Sequence, residues 1–143
     1  MKQFGTTQRR RQSNLPYVSR RVLLTKGELA FYRSLRAATS GLYLLLFKVR
    51  VADLIECPAD AWQNGFGHMI ARHHIDFVLC DRLTTEIKAA IELDDKSHSR
   101  QSRKRRDQFL TKAFIAAHIP LLRFRAAARY DVKEITARLD ALS

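Results

Sequence analysis

The sequence predicts an α/β domain in which helices flank a mixed four-stranded sheet, in the order α-β-β-β-α-β-α. Four apolar runs have the length of strands, and three other segments place apolar residues at helical spacing. The second and third runs are joined by a short polar turn, Asp81-Arg82-Leu83-Thr84-Thr85, whose length is typical of an antiparallel hairpin. These observations together predict one sheet that contains a hairpin and is covered by helices.

The first helix is predicted to begin after Thr25. Thr25-Lys26-Gly27-Glu28 contains the N-cap threonine and the glutamate of a capping box, and Ser40-Gly41 ends the apolar stripe. Glu28 lies on the same stripe as the apolar Phe31. Two explanations of Glu28 are therefore open: it closes the capping box, or it points into a functional site.

The remaining elements follow from the same patterns. We predict strands over residues 42–49, 74–80, 86–95 and 120–124, and helices over residues 101–118 and 131–142. The segment 53–72 contains turn-forming residues such as Asn64-Gly65, and it is predicted to be irregular with at most one helical turn.

Composition limits the class of protein. A chain of 143 residues with 46% hydrophobic residues fits one domain, here residues 23–143, preceded by a flexible basic arm, residues 1–22. Cys57 and Cys80 are too few for a disulfide framework. No apolar run approaches the roughly 20 residues of a membrane helix, and the N-terminus lacks the apolar part of a secretory signal. We therefore expect a cytoplasmic protein without a membrane span.

The charge predicts a nucleic-acid partner. The formal net charge is +12, and its distribution is uneven, with two basic blocks of which the second directly follows an acidic motif. Such blocks bind phosphate backbones without regard to sequence. DNA is expected rather than RNA. The residues predicted to contact it are Arg9, Arg10, Arg11, Arg20, Arg21, Arg100, Arg103, Lys104, Arg105 and Arg106.

Carboxylates occur within two of the apolar runs, at Asp76, Glu92 and Asp94. An unpaired charge is costly to bury, so a compensating cation is expected. Side chains alternate along a strand, which places Glu92 and Asp94 on one face, and the hairpin brings Asp76 beside them. Oxygen ligands of this kind suit Mg²⁺ or Mn²⁺, which can polarise a phosphodiester.

These residues resemble the PD-(D/E)xK nuclease superfamily, in which an aspartate and a glutamate lie on such a hairpin. The string from Ile91 to His98 is similar to the motif of the branch related to very-short-patch-repair endonucleases. The wider pattern resembles the bacterial family called "domain of unknown function 2726" over about residues 20–125. The resemblance implies a restriction-endonuclease-like αβββαβ core and a metal site at Asp76 and Glu92, assisted by Glu28.

The sequence departs from the superfamily at one position. Its nucleases usually carry a lysine two positions after the glutamate, where it assists the attacking water, and this chain has Asp94 there. Lys96 and Lys88 are the candidates to substitute for it, and for Lys96 a second explanation is open, that it only belongs to the basic block. His98 is predicted either to shuttle a proton or to form hydrogen bonds at the strand end.

Arg123, within the last predicted strand, also has two open explanations. It pairs with Asp107, or it reaches a phosphate.

Two functions follow from the sequence. The favoured one is a Mg²⁺- or Mn²⁺-dependent nuclease that hydrolyses DNA. A homodimer is one option that the resemblance implies, because many such nucleases pair to cut both strands, and the sequence leaves the oligomeric state open. The predicted catalytic residues of the nuclease are Glu92, Asp94, Lys96 and His98, and its predicted metal ligands are Glu28, Asp76, Glu92 and Asp94. The alternative is a non-catalytic nucleic-acid-binding domain, derived from a nuclease fold, in which lysines or arginines hold the carboxylates.

Overall fold

A computed structural model describes residues 15–94 and 101–142, and in these residues the seven predicted helices and strands occur in the predicted order, with three further short helices between the first two strands. The boundaries fall within two residues of the predicted ones. The strands are β1 (Tyr43–Arg50), β2 (His74–Asp81), β3 (Ile87–Asp94) and β4 (Leu121–Arg125). The helices are α1 (Lys26–Thr39), α2 (Val51–Leu54), α3 (Ala59–Gln63), α4 (Phe66–Ala71), α5 (Gln101–Ala116) and α6 (Val132–Asp140).

The segment between β1 and β2 is more helical than predicted. It forms three short helices, α2 to α4, instead of an irregular segment with one turn. Val51 and Ile70 are buried and anchor this segment to the sheet. Gly65 has a φ of +92°, the left-handed conformation that favours glycine, and it is the N-cap of α4. Each helix is too short for a periodic apolar pattern, which is why sequence reasoning missed them.

The strands form one mixed sheet in the order β1-β2-β3-β4. β1 pairs antiparallel with β2, and β2 pairs antiparallel with β3, as the short turn predicted. β3 and β4 are parallel because α5 carries the chain back across the sheet between them. The coarse prediction of an α/β fold with a mixed four-stranded sheet is therefore confirmed.

A hydrophobic core lies on each face of the sheet. On one face, Phe31 of α1 is fully buried and packs its ring against Phe77, Phe124 and Tyr130, with centroid distances of 4.9–5.3 Å. α6 completes this layer through Ile135. On the other face, Leu110 and Phe114 of α5 join residues of α2, α4 and the sheet. The sheet is thus covered on both sides, and polar residues within it need internal partners.

Part of the predicted basic segments lies outside the described residues. This applies to Arg9, Arg10, Arg11, Lys96, His98 and Arg100. Residues 15–24 are described; they contain no helix or strand and are mostly exposed. In the parts of the chain that the structure describes, no helix has the length and apolar character needed to cross a membrane.

Candidate functional site

A row of charged residues crosses the sheet, with one residue from each strand. The β1–β2 register sets Lys48 opposite Asp76. The β2–β3 register, continued one residue beyond its last bonded pair, sets Asp76 opposite Glu92, and Glu92 is the parallel neighbour of Arg123 on β4. The two central members of the row are therefore both carboxylates.

Asp76 is held by contacts to both neighbouring strands. Its Oδ2 accepts a hydrogen bond from the backbone N–H of Leu93 at 2.9 Å. Its Oδ1 lies 3.8 Å from the Lys48 Nζ. The carboxylate thus takes the place of a backbone acceptor where the regular β2–β3 ladder ends. The prediction that the hairpin brings Asp76 beside the strand of Glu92 is confirmed.

Glu92 is the buried acid of the site, with only 3% of its surface exposed. Arg106 of α5 donates from Nη2 to both carboxylate oxygens, at 3.2 and 3.3 Å. Burial raises the pKa of Glu92 to about 7, because the lowering effect of Arg106 is smaller and the negative charge of Asp76 raises the pKa further. Burial therefore disfavours the charged form of Glu92 even with Arg106 in contact.

Glu28 closes the capping box and also pairs with a lysine of the charged row. Its Oε2 accepts from the backbone N–H of Thr25 at 2.7 Å, and its own N–H donates to Thr25 Oγ1, which completes the capping box. Its Oε1 pairs with the ammonium of Lys48. Burial raises the pKa of Glu28, but the hydrogen bonds from Lys48 and Thr25 outweigh burial and leave the pKa below 4.5.

Lys48 connects α1 to the charged row, and sequence reasoning missed it. It contacts Glu28 and lies within ion-pair distance of Asp76. Its backbone has a φ of +56° within a strand, a left-handed conformation that costs an L residue roughly 1–2 kcal/mol. A lone lysine in an apolar strand was the only available signal, and no local pattern predicts its backbone conformation.

Arg123 does not pair with the carboxylate of Asp107. Its Nη2 donates to the backbone carbonyl of Asp107 at 3.0 Å, and its Nη1 donates to Thr111 Oγ1 at 2.9 Å. The Asp107 carboxylate lies 3.7 Å from Arg106 instead. The prediction of an ion pair is wrong because the backbone of α5, rather than the side chain of Asp107, faces Arg123.

Lys88 is not placed to substitute for the missing lysine. Its Nζ pairs with Glu86 at 2.7 Å. It also precedes Glu92 by four residues, which is about 13 Å along a strand.

Asp94 lies closer to the site than Lys88, at the end of β3, where its backbone neighbour on β4 is Arg125. Burial raises its pKa, although the charge of Arg123 acts in the opposite direction.

The four predicted metal ligands are not gathered into one cluster. Within residues 15–94 and 101–142, no group of three or more His, Cys, Asp and Glu side chains could hold a metal ion. Asp76 and Glu92 are nevertheless opposite each other. Mg²⁺ usually takes only one or two carboxylates, together with water and substrate phosphates. The chemistry of this pair fits such an ion, and the ligand assignment stays a prediction.

The predicted nucleic-acid-binding residues that the structure describes lie in three places. Arg20 and Arg21 precede α1 and are exposed. The exposed Arg103, Lys104 and Arg105 lie on the first turns of α5. Arg106, which was predicted to bind nucleic acid, donates to Glu92 and to the backbone carbonyl of His74. One member of the second basic block thus serves as the counter-charge of a buried acid.

The fold and the site define an α/β protein with paired carboxylates at the centre of a mixed sheet. The chain belongs to the family described as protein of unknown function (DUF2726), whose model matches residues 20–142. The resemblance to this one family that was seen in the sequence is thereby confirmed, and the match reaches beyond residue 125. No curated protein and no solved structure was found to match the chain.

The raised pKa of Glu92 predicts a pH-dependent stability. Between pH about 4.5 and 7 the folded protein binds the Glu92 proton more tightly than the unfolded chain does, so the contribution of Glu92 to the free energy of unfolding falls as pH rises through this range. Glu92→Gln removes this titration. As the pH rises from about 5 to about 8, we expect the free energy of unfolding of the variant to increase by roughly 2–3 kcal/mol relative to that of the wild type. Both are measured by urea unfolding in EDTA.

Glu134→Gln is the matched control for this measurement, because Glu134 is exposed on α6. The stability of Glu92→Gln relative to the wild type should change with pH, and that of Glu134→Gln should not. The same change in both variants, or no change in Glu92→Gln, would contradict the described environment of Glu92.

The left-handed backbone of Lys48 predicts an inverted preference between glycine and alanine. Glycine in a strand is normally less stable than alanine by roughly 0.5–1 kcal/mol, but alanine at a positive φ is strained. We expect Lys48→Gly to be more stable than Lys48→Ala by about 1 kcal/mol in urea unfolding. Leu46, at an ordinary position of the same strand, should show the usual order. If alanine is the more stable residue at both positions, the conformation assigned to Lys48 is incorrect.

Proposed function

We propose that this protein is a Mg²⁺- or Mn²⁺-dependent nuclease that hydrolyses DNA phosphodiesters on a restriction-endonuclease-like core of the PD-(D/E)xK type. The observation that carries the proposal is the adjacent pair of Asp76 and Glu92, of which Glu92 is buried and has a raised pKa. The αβββαβ order of α1, the sheet and α5 supports it.

Asp76 and Glu92 would hold the divalent ion. The Cβ atoms of opposite residues on antiparallel strands are about 4.5–5.5 Å apart, so two carboxylates in this arrangement can reach a common ligand. The bound ion would supply Lewis-acid polarisation of the scissile phosphoryl group. Glu28 would contribute indirectly, because one of its oxygens closes the capping box and the other holds Lys48.

Lys48 would fill the role of the lysine that this sequence lacks after its glutamate. Its ammonium is the described cation nearest to Asp76 by ion-pair distance, at 3.8 Å. A preorganised positive charge stabilises the negative charge that develops on a phosphoryl group during attack. The strained backbone at Lys48 is consistent with such a role, because strain of this kind concentrates at functional sites. Asp94, Lys96 and His98 remain predicted participants.

Arg106 and the exposed basic residues would bind the DNA backbone. Once Glu92 has another counter-charge, the guanidinium of Arg106 can bind a phosphate, for which its planar geometry is suited. Arg103, Lys104 and Arg105 lie on the same helix, and they extend the positive surface away from the carboxylates. Contacts of this kind position the duplex without reading its sequence.

A plasmid-nicking assay tests the proposal. We expect nicking with Mg²⁺ or Mn²⁺ but not with EDTA, and loss of at least about 100-fold in Asp76→Ala and Glu92→Ala, because removal of a carboxylate ligand removes the metal. Lys48→Ala should lower the rate while DNA binding persists. Glu56→Ala, which removes an exposed carboxylate before α3, is the matched control and should cleave normally. Unchanged nicking in both ligand variants would exclude the proposed site.

A specific observation also favours the second candidate, a non-catalytic nucleic-acid-binding domain. Lys48 and Arg106 already contact the carboxylates, as expected if these acids serve only in structural pairs. This candidate predicts binding that weakens steeply with salt and no cleavage with any divalent ion. The wild-type nicking assay therefore separates the two functions.

A further inference from the structure

A pocket lies beside the charged row, between the segment that precedes α1 and strand β1. Its volume is about 470 Å³, within the range of small-molecule sites. The segment Ser19–Thr25 forms one wall, and Glu28 and Lys48 form the other. The pocket and the carboxylates therefore share Lys48, whose ammonium contacts both Glu28 and Asp76.

The lining of this pocket is positively charged. Arg20 and Arg21 both line it and are exposed, and neither has an ion-pair partner among residues 15–94 and 101–142. Lys48 adds a third cation. The single carboxylate of the lining, Glu28, is already bound by Lys48 and by the backbone of Thr25. Positive charge thus exceeds negative charge in the pocket, which favours an anionic ligand.

The polar and apolar parts of the lining distinguish between anionic ligands. Arginine binds phosphate through planar, paired hydrogen bonds. Val22, Leu23 and Leu24 add apolar surface between the cations and the start of α1. A bare inorganic ion would leave this apolar surface and most of the volume without contacts. A nucleotide presents a phosphate together with a sugar and a base face, and it matches both parts of the lining.

We propose that this pocket binds one nucleotide of the substrate strand through its phosphate, next to the phosphodiester that is held at Asp76 and Glu92. The proposal rests on the proposed nuclease function for the identity of the strand. Lys48 would set the register, because the same ammonium borders the pocket and the carboxylates. Arg20 and Arg21 would be binding residues for the flanking nucleotide rather than catalytic residues.

The first test compares two double variants that lose the same charge. Arg20→Ala/Arg21→Ala removes the cations of the pocket, and Arg33→Ala/Arg36→Ala removes two exposed arginines from α1. Binding of a fluorescent oligothymidylate of about eight nucleotides is measured by anisotropy in EDTA at several salt concentrations. We expect the pocket variant to weaken binding about tenfold and to reduce the salt slope by about 1.4, while the control stays within about twofold. Equal losses in both variants would overturn the proposal.

The second test locates the ligand on the wild-type protein. Thymidine monophosphate and thymidine are each titrated in EDTA while the backbone amides are followed by NMR. We expect the monophosphate to shift the signals of Ser19, Arg21, Leu23 and Thr25, which line the pocket, and we expect thymidine to leave them unchanged. Shifts located elsewhere, or equal shifts with thymidine, would overturn the proposal.

The two proposals fail separately because both binding tests are carried out without a divalent ion. A protein that passes them but does not nick DNA contradicts only the nuclease function. A protein that nicks DNA but binds equally well after loss of Arg20 and Arg21 contradicts only the pocket.

Discussion

The burial of Glu92 beside Asp76 is the constraint on which the rest of the site depends. A glutamate that is only 3% exposed, opposite a second carboxylate, is unfavourable without a cation. The fold supplies Arg106 from α5 on one side and Lys48 from β1 on the other. Even so, burial and the charge of Asp76 keep the pKa of Glu92 at about 7. The contacts from the neighbouring helices and strands therefore do not offset the cost of burying this carboxylate.

Most of the fold could be predicted because its signals are local. The capping box at Thr25 and Glu28, the apolar runs of the strands and the short turn of the hairpin each depend on a few adjacent residues, and the structure confirms them. The three short helices between β1 and β2 were missed because each has only four to six residues. Their stability comes from packing on the sheet, through Val51 and Ile70, and not from a periodic sequence.

The site was predictable only in part, for a related reason. Asp76 and Glu92 could be found because a carboxylate within an apolar run is conspicuous and hairpin pairing is local. Their partners come from distant parts of the chain and could not be read from spacing. Lys48 meets Glu28 only because β1 and α1 pack together. Nothing in the sequence distinguishes Arg106 from its basic neighbours, and only the packing of α5 on the sheet brings it to Glu92. The predicted Arg123–Asp107 ion pair does not form, because Arg123 donates to the backbone carbonyl of Asp107 instead.

Direct titration with a divalent ion tests the central claim, that Asp76 and Glu92 form a pair in need of a cation. Mn²⁺ and Mg²⁺ would be added to the wild type, Asp76→Asn, Glu92→Gln and the exposed control Glu56→Gln, with binding followed by calorimetry. The account predicts one ion per chain in the wild type and the control, and affinity at least about tenfold weaker in the other two variants. An absence of binding to the wild type, or equal affinity in all four proteins, would contradict it.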